Sequence, residues 1–333
     1  MPSQVTDQRM LAAVTTAFGG PEVIQLQHLE RPTPGPGEVR IRVHATTVSA
    51  ADHRTRSREV PKGTGLLAGP TIGFRRPRIR VLGMDCAGVV DAVGEGVTRV
   101  AVGDEVVALL GSRFGGHAQY AIVGATETAI APKPKGMPFE EAAAIVFGGW
   151  TAGTYLAAAG LKRGDTLLIN GASGAVGSAA VQLAAAAGVH VTAVCSGANA
   201  ELVRQLGAER VIDYTSEDPL DTAIPYDAIM DNVGNLPIAR LAARVKSGGT
   251  LLQVIANLPD MLLAGARGRR ARIRVVPATA KFDATALQRA VDQAELGEFV
   301  PVIDRTFDLD DIVAAHRHVD TGHKRGNVVV RVP

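Results

Sequence analysis

The sequence predicts a mixed α/β protein in which a β-rich domain is followed by a doubly wound parallel sheet. Three observations support this fold class. A strand, a glycine-rich turn, a helix and a second strand follow one another within residues 166–214. Short segments of alternating apolar and polar residues fill the chain before this unit, as in half-buried strands. Strand-like and helix-like segments alternate after it, which is typical of parallel α/β sheets.

The composition bounds the class of protein. The chain has 333 residues, of which 46% are hydrophobic, enough for two domains with cores of their own. A net charge of +2 does not dictate any partner. The two cysteines, Cys86 and Cys195, lie in apolar segments and provide neither a zinc cluster nor a disulfide framework. Without a signal peptide or an apolar run near the roughly 18 residues that span a bilayer, we expect a cytoplasmic protein without a membrane partner.

The first part of the chain is predicted to form a compact, barrel-like β domain. A proline- and glycine-rich cluster at 32–37 marks a turn before residues 38–43, which alternate cleanly between apolar and polar. An alanine-rich segment at 140–160 is predicted to be a helix that leads into the central unit. The predicted strands lie at 11–16, 23–29, 38–48, 87–94, 104–110 and 117–123.

The glycine-rich turn carries the clearest functional signal. An apolar strand at 166–170 runs directly into GASGAVG at 171–177, and an alanine-rich helix follows. A phosphate binds at a helix N-terminus only where the backbone comes close to it. Gly174 removes the Cβ that would contact a pyrophosphate, and Gly177 lets the helix pack tightly on the sheet. The turn therefore predicts a dinucleotide site.

The turn departs from the G-x-G-x-x-G pattern at one position. Ala172 stands where the first glycine is usual, with Gly171 just before it. The flanking strand, the helix that ends at Gly188 and the next strand at 189–194 support the motif in spite of this difference. The alternative is an ordinary turn between a strand and a helix in another α/β protein.

The end of the second strand favours NADPH over NADH. NAD-binding proteins place an acid there to bind the ribose 2′-hydroxyl, but residues 195–197 contain none, and the next acid is Glu201. Ser196 and Asn199 offer neutral hydrogen bonds to a 2′-phosphate. A lysine or arginine in place of Ala198 would make this preference stronger.

After residue 214 the chain continues to alternate between predicted strands and helices. The ligand is expected in the crevice at the carboxyl ends of the parallel strands, facing the β-rich domain. Residues 246–249 are predicted to form a turn. Strands are predicted at 228–231, 250–255, 272–276 and 327–332, and helices at 236–245, 284–296 and 309–318.

Segments along nearly the whole chain resemble one family. They are FGGPEVIQL at 18–26, PGPGEVRIRVHATTVSAAD at 34–52, LGMDCAGVVDAVGEGV at 82–97, VGDEV at 102–106, FGGHAQY at 114–120, EEAAAIVFGGWTA at 140–152, the GASGAVG turn, LGAERVIDY at 206–214, DNVG at 231–234 and GHKRGNVVV at 322–330. These segments resemble, in order, the medium-chain dehydrogenase/reductase superfamily in its zinc-free, zeta-crystallin-like quinone oxidoreductase branch.

The resemblance implies two domains and a cleft between them. Residues 1–127, completed by 279–333, correspond to a GroES-like catalytic domain, and residues 128–278 correspond to a Rossmann NAD(P)-binding domain. Members of the family commonly form dimers through the edge strands of the Rossmann domain, so a homodimer is expected.

The resemblance also bears on zinc. Zinc-dependent members carry a cysteine and a histidine at the positions of Ser49 and Met84, together with a four-cysteine lobe that is absent here. Serine and methionine are poor Zn²⁺ ligands beside thiolate and imidazole. We therefore expect no metal, so the hydride acceptor must already be electrophilic, as quinones and α,β-unsaturated carbonyl compounds are.

Two rival functions remain open. One is reduction of enoyl thioesters. The other is a non-enzymatic regulatory protein that binds NADPH and contacts RNA. Some zeta-crystallin-like proteins are associated with RNA. The basic stretches that could contact RNA in this chain are the two arginine-rich segments at 75–80 and 267–274. Arg270, Arg272 and Arg274 alternate with apolar residues, which predicts a solvated strand face; since no aromatic residue interleaves them, a nucleic-acid partner is not favoured.

The candidate site residues follow from the turn and from the resemblance. The catalytic candidates are Ser49, Asp52, His117 and Thr151. The cofactor-binding candidates are Gly171, Ser173, Gly174, Ala175, Val176, Gly177, Ser196, Asn199, Tyr214, Val233, Ile255 and Asn327.

Several of these candidates have a structural alternative. Thr151, which the family places near the nicotinamide ribose, is otherwise a core threonine, and His117 is otherwise a structural histidine. Ser49 and Asp52 have the spacing of a capping box at a helix start as well as a place beside the nicotinamide. Tyr214 either flanks the adenine or is simply packed. The apolar segment at 61–73 is expected to line or cover the substrate mouth.

Overall fold

The computed structural model describes residues 8–126, 129–221, 224–277 and 285–333, which form two compact units. The first unit combines the chain up to Val60 with Leu67–Phe147 and Ile303–Pro333. The second unit combines Pro61–Leu66 with Gly148–Val302.

Strands make up most of the first unit and the central layer of the second. They are β1 (Arg9–Thr15), β2 (Ile24–Glu30), β3 (Glu38–Val48), β4 (Asp85–Val93), β5 (Glu105–Leu109), β6 (Tyr120–Gly124), β7 (Ile130–Pro132), β8 (Thr166–Asn170), β9 (His190–Cys195), β10 (Arg210–Asp213), β11 (Tyr226–Asp231), β12 (Val245–Gln253), β13 (Arg274–Val276), β14 (Ile303–Asp308) and β15 (Asn327–Arg331).

The α-helices vary from one turn to six. They are α1 (Ala50–Ser57), α2 (Gly65–Ile72), α3 (Phe139–Ala159), α4 (Ala175–Ala186), α5 (Ala200–Gln205), α6 (Ile238–Ala242), α7 (Leu258–Ala271), α8 (Ala286–Glu295) and α9 (Ile312–Asp320). Short 3-10 turns precede β2, α5 and α9.

The first unit is built on a sheet in the order β14-β15-β3-β4-β5-β7, with β6 also paired to β3 and a separate β1–β2 hairpin. The pairing is antiparallel except between β14 and β15. Along β3, Val39, Ile41 and Val43 are fully buried while Arg42 between them is exposed. This alternation places one face of the strand in the core, as the sequence predicts.

The second unit is a six-stranded parallel sheet in the order β10-β9-β8-β11-β12-β13. Counted from β8, this is the 3-2-1-4-5-6 order of the doubly wound dinucleotide-binding fold. Leu167, Leu168 and Ile169 of the central strand are all fully buried, because both faces of the sheet are covered. The predicted fold class is confirmed.

The structure corrects the prediction around the second arginine cluster. The predicted strand at 272–276 begins only at Arg274, since α7 continues to Ala271 and Arg272 ends it in the left-handed conformation. Arg267, Arg269 and Arg270 are therefore helical, and the predicted alternation on a strand face is wrong. Local apolar-polar alternation over so few residues does not distinguish a strand from the end of a helix.

Other boundaries also differ. The predicted helix at 236–245 is only the five residues of α6, and the predicted turn at 246–249 is an irregular insertion within β12, where the pairing passes from Val245 directly to Thr250. The sequence reasoning missed α2, α7, β7, β10 and β14. The predicted helix at 284–296 is α8, although position 284 lies outside the described residues.

One helix within the described ranges, α3, is long and apolar enough by length and composition to cross a membrane. The sequence reasoning did not identify it as such. Of its most apolar 18-residue window, 72% is buried inside the protein. Buried to this extent, α3 has the environment of a core helix.

Candidate active site

The glycine turn leaves the start of α4 open. Gly171 adopts a φ of +75°, which favours glycine, and ends β8 in a tight turn. Gly174 is the N-cap of α4, and no side chain caps this end by a hydrogen bond. A Cβ on Gly174 would meet only the Gly171 carbonyl oxygen, at 3.6 Å. The start of α4 therefore has no side-chain cap, and the helix dipole there favours an anion.

The remaining glycine of the turn holds α4 close to the sheet. A Cβ on Gly177 would lie 2.1 Å from the Gly171 carbonyl oxygen and 2.7 Å from the Cα of Ala172. Gly148 in α3 also lies too close to α4 for a larger residue, since its Cβ would lie 2.7 Å from the Ala175 carbonyl oxygen. The structure thus assigns a physical requirement to two glycines beside the turn, of which the sequence reasoning identified one.

Asn199 connects the turn to the end of β9. Its Nδ2 donates to Ser173 Oγ and to Ser196 Oγ, each at 3.2 Å. Its Oδ1 is buried and has no hydrogen-bond partner in the part of the chain that the structure describes. The structure therefore brings three predicted cofactor residues together around a buried acceptor that an incoming hydroxyl would satisfy.

A carboxylate that the sequence reasoning missed lies beside these residues. Asp213 ends β10, directly across from Cys195 at the end of β9. It accepts hydrogen bonds from the N–H (2.9 Å) and Oγ1 (2.7 Å) of Thr215, and these bonds, with one from the Gly197 N–H, lower its pKa. The next residue, Tyr214, is half exposed. Asp213 therefore places a carboxylate beside the end of β9, although residues 195–197 contain none.

The carboxyl ends of β8 and β11 meet around Asp231. Its Oδ1 accepts from Asn170 Nδ2 at 2.8 Å and from the N–H groups of Val233 and Gly234 at 3.1 and 3.0 Å. Val233 then lies against the turn, since a Cβ on Gly171 would be 2.7 Å from its Cγ2. The predicted residue Val233 is thereby placed beside the glycine turn.

Ile255 and Thr151 complete the predicted residues of the second unit. A Cβ on Gly234 would lie 3.0 Å from Ile255 Cγ2, so Ile255 adjoins the loop that carries Val233. Thr151 lies in α3, one turn beyond the point where Gly148 touches α4. It is 5% exposed, and its Oγ1 has no hydrogen-bond partner among the described residues. A buried hydroxyl without a partner is consistent with a ligand contact, although Thr154 in the same helix is in the same state.

The catalytic candidates of the first unit form a closed cluster, which we call the Ser49 cluster: Ser49, Asp52, Gly83 and His117. Ser49 and Asp52 form a capping box at the start of α1, in which Ser49 N–H and Oγ donate to Asp52 Oδ2 at 2.7 and 2.6 Å. Asp52 Oδ1 accepts from the Gly83 N–H at 2.7 Å. A Cβ on Gly83 would lie 2.7 Å from His117 Cδ2.

His117 is held in the same closed manner. Its Nε2–H donates to the Thr47 carbonyl oxygen at 3.0 Å, and the residue is 1% exposed. Asp85 lies on the other side of Thr47 and accepts from its N–H (2.9 Å) and Oγ1 (2.7 Å). Burial raises the pKa of Asp85 to about 7. These contacts agree with the structural interpretation of His117.

Comparison with known proteins identifies the family. Residues 35–135 match the family described as Alcohol dehydrogenase GroES-like domain, and residues 206–330 match the one described as Zinc-binding dehydrogenase. The chain is 31% identical over 335 residues to the Chloroplast envelope quinone oxidoreductase homolog of Arabidopsis thaliana, covering 96% of this chain and 98% of that protein. It is also 31% identical over 339 residues to the chloroplastic NADPH-dependent alkenal/one oxidoreductase of the same plant, covering 97% and 80%.

A solved structure gives the same answer. The quinone oxidoreductase from Coxiella burnetii matches with a TM-score of 0.86 and 27% identity, covering 98% of this chain and all of that one. The chain belongs to the medium-chain dehydrogenase/reductase superfamily, in its quinone oxidoreductase branch. The predicted resemblance is confirmed. As a member, the protein is an oxidoreductase that binds a pyridine nucleotide.

One of the matched families is described as zinc-binding, but the donor set of this oxidoreductase does not fit the metal. The resemblance puts Ser49 and Met84 at the ligand positions, and the Ser49 hydroxyl donates to Asp52. Within the ranges 8–126, 129–221, 224–277 and 285–333, no group of three or more His, Cys, Asp and Glu side chains is arranged to hold an ion. Serine and thioether groups are weak zinc ligands.

The second unit of the oxidoreductase does fit a dinucleotide. The open end of α4, the buried acceptor of Asn199 and the buried hydroxyl of Thr151 are groups that a pyrophosphate and two riboses would occupy. Of the predicted residues, those of the turn, Ser196, Asn199, Tyr214, Val233, Ile255 and Thr151 belong to this unit. Ser49, Asp52, His117 and Asn327 belong to the first unit, where Asn327 begins β15.

Proposed function

We propose that this oxidoreductase uses NADPH to reduce quinones or α,β-unsaturated carbonyl compounds without zinc. The observation that carries the proposal is the closed Ser49 cluster, in which Ser49, the residue at one of the metal-ligand positions, donates its hydroxyl to Asp52, and Asp52 in turn accepts from the Gly83 N–H. Without a Lewis acid to polarise a simple carbonyl, the acceptor must itself be electrophilic. The names of the two Arabidopsis relatives point to the same two classes of acceptor.

The chain's own residues bind and orient the reactants. The N–H groups at the start of α4 would hold the pyrophosphate, and Asn199 Oδ1 would accept a hydrogen bond from the adenosine ribose. Thr151 Oγ1 would bond the ribose beside the nicotinamide and so help to orient the cofactor. When bound, NADPH supplies a hydride from C4 of the nicotinamide.

The preference for NADPH over NADH is proposed to be small. The end of β9 lacks an acid, which favours the 2′-phosphate, whereas the Asp213 carboxylate beside Gly197 opposes it. Because the missing acid on β9 favours NADPH and the Asp213 carboxylate favours NADH, the protein should be able to use both coenzymes.

We further propose that the protein is a cytoplasmic homodimer. In the part of the chain that the structure describes, β13 lies at one edge of the sheet of the second unit. An edge strand offers its free N–H and C=O groups to a second copy. Light scattering that found one chain per particle would contradict the dimer.

Steady-state NADPH oxidation tests the proposal. The panel contains a quinone, an enone, an enoyl thioester and, with NADP⁺, a primary alcohol, each measured with and without a chelator. We expect turnover with the quinone or enone that the chelator does not change. Alcohol oxidation that the chelator abolishes and zinc restores would contradict the proposal, as would turnover of the thioester alone. Salt-dependent RNA binding without any turnover would favour the regulatory alternative.

A further inference from the structure

Helix α7 presents its largest apolar side chains to solvent. Leu262 is 75% exposed and Leu263 is 45% exposed. Ala266, Arg269 and Arg270 are also exposed and follow at helical spacing on the same side. We call these five residues the α7 face: an apolar patch near the middle of the helix that continues into basic residues at its carboxyl end.

Packing on the opposite side of α7 keeps the helix in this orientation. Ala264 and Gly268 are buried there, and a Cβ on Gly268 would lie 2.9 Å from the Ile273 carbonyl oxygen and 3.3 Å from Val275 Cγ2. Small residues thus face the sheet while leucines face outward. A rotation that buried the leucines would bring larger side chains against β13.

The start of α7 is also fixed. Asn257 caps the helix, with its Oδ1 accepting from the Asp260 N–H at 2.9 Å. The Leu258 N–H donates to the Lys62 carbonyl oxygen at 2.9 Å, which holds the segment Pro61–Leu66 against the helix. Leu66, at the end of that segment, is 81% exposed. A second large apolar side chain is therefore exposed on an element that contacts α7.

The charges around the α7 face are uncompensated. Residues 254–277 contain five arginines and a single acid, Asp260, which pairs with Arg267. Arg269, Arg270 and Arg272 have no acidic partner among the residues that the structure describes. The surface thus combines exposed leucines with free guanidinium groups.

We propose that the α7 face docks the protein on the surface of an anionic lipid bilayer. In this arrangement Leu262 and Leu263 enter the boundary between headgroups and acyl chains, while the arginines bond lipid phosphates. The inference goes beyond the proposed function and does not depend on it. It replaces the expectation that the protein has no membrane partner with peripheral, reversible binding.

Charge and chemistry favour a bilayer over the other occupants. A second copy that met the face by two-fold symmetry would place the arginines against either the leucines or the arginines of the other copy, depending on the direction of the axis, and neither is an acidic partner. A single-stranded nucleic acid would find leucines where stacking aromatic rings are needed. An anionic bilayer offers both an apolar layer and negative phosphates at the required depths.

Co-sedimentation with vesicles tests the proposal. The full-length protein is mixed with phosphatidylcholine vesicles that contain about one third phosphatidylglycerol, and with vesicles of phosphatidylcholine alone. We expect binding to the anionic vesicles that weakens as salt is added. The Arg269→Gln and Arg270→Gln variants should each weaken it by about five-fold, and a Leu262→Ser/Leu263→Ser double variant should weaken it at every salt concentration.

Matched controls lie in the same unit. Leu296→Ser removes an equally exposed leucine (74%) after α8, and Arg210→Gln removes an exposed arginine at the start of β10. Neither should change vesicle binding, and circular dichroism should show that all variants are folded.

Four outcomes would overturn the proposal: no binding to anionic vesicles, equal loss with the control variants, unchanged binding of the double leucine variant, or tighter binding of oligouridine that the double variant leaves unchanged. A double variant that separates a dimer while vesicle binding persists would assign the face to a second copy, which also overturns it.

Discussion

The nucleotide end of the second unit and the Ser49 cluster of the first contain similar polar side chains in opposite states. At the nucleotide end, Asn199 Oδ1 and Thr151 Oγ1 are buried without partners among the described residues. In the Ser49 cluster, both oxygens of Asp52 accept hydrogen bonds from Ser49 and Gly83. Buried polar groups are almost always paired. His316 Nε2, beside His117, also lacks a partner among the described residues. It is therefore the position of Asn199 near the glycine turn and of Thr151 near the start of α4, together with the missing partners, that indicates a ligand site.

The largest expected effect concerns Asp85, beside the Ser49 cluster. Its pKa of about 7, against an ordinary 3.8, means that the folded state holds this proton more tightly than the unfolded chain. The free energy of unfolding should therefore fall by about 4 kcal/mol through this group as pH rises from about 4 to 7, and stay level above that.

Asp85→Asn tests this assignment. Asparagine keeps an acceptor for the Thr47 N–H, so the variant should fold and should lack this part of the pH dependence. Urea unfolding measured across the pH range gives the answer. An unchanged pH profile in the variant would place the titration in another group.

Gly177→Ala tests how tightly the nucleotide end is built. The new Cβ would lie 2.1 Å from the Gly171 carbonyl oxygen, so α4 must move away from the turn. We expect the Kd for NADPH, measured by calorimetry, to rise by about a hundred-fold, with a loss of about 1–3 kcal/mol in stability.

Gly153→Ala is the matched control. This glycine lies in α3, and a Cβ added to it would have no heavy atom within 4 Å, so alanine should stabilise the helix by about 0.5–1 kcal/mol. Equal losses of affinity in both variants would show that the turn itself is not the binding element.

Thr151→Val separates a ligand contact from a core threonine. Valine removes a hydroxyl that has no partner among the described residues, so the free energy of unfolding should stay the same or rise by up to about 1 kcal/mol. The Kd for NADPH should rise by about ten-fold, because the ribose loses a hydrogen bond in a dry site.

Asp52→Asn should show the reverse. It disrupts paired groups, so we expect a loss of about 2 kcal/mol in stability with the Kd for NADPH unchanged. If both variants lose stability and neither loses affinity, the distinction between the two regions is wrong.

The smallest effect is expected at Asp213. Asp213→Asn removes a negative charge beside Gly197, and the ratio of kcat/KM for NADPH to that for NADH should rise by about five-fold. Glu209→Gln, just before the other end of the same strand, should leave the ratio unchanged. A ratio that does not move in either variant would remove Asp213 from the coenzyme site.

The same contrast shows what the sequence predicts well. The sequence of strands along the chain and the glycine turn follow from local pattern, which also identifies Gly177 correctly as a point where the helix packs tightly. The position of Asp213 could not be predicted in this way. It lies beside the end of β9 because β10 pairs with β9, and local sequence does not specify which strands pair. The sequence alone does not decide whether Ser49 and Asp52 form a capping box or a catalytic pair, because both have the same spacing.

Helix α7 shows a further limit of sequence reasoning. Its leucines point outward because Gly268 and Ala264 are the residues small enough to approach β13. Neither periodicity nor composition shows which side of such a helix will pack against the neighbouring strand, and α7 was not predicted from the sequence.

The apolar character of α3 affects the folding of the new chain and the inactivation of the protein by heat. Until its neighbours cover it, a nascent or heated chain carries 21 consecutive residues with the length and hydropathy of a membrane anchor. Such a segment associates readily with other unfolded chains. Heat inactivation should accordingly be irreversible and depend on protein concentration, so the working lifetime is set by the rate of unfolding rather than by its equilibrium.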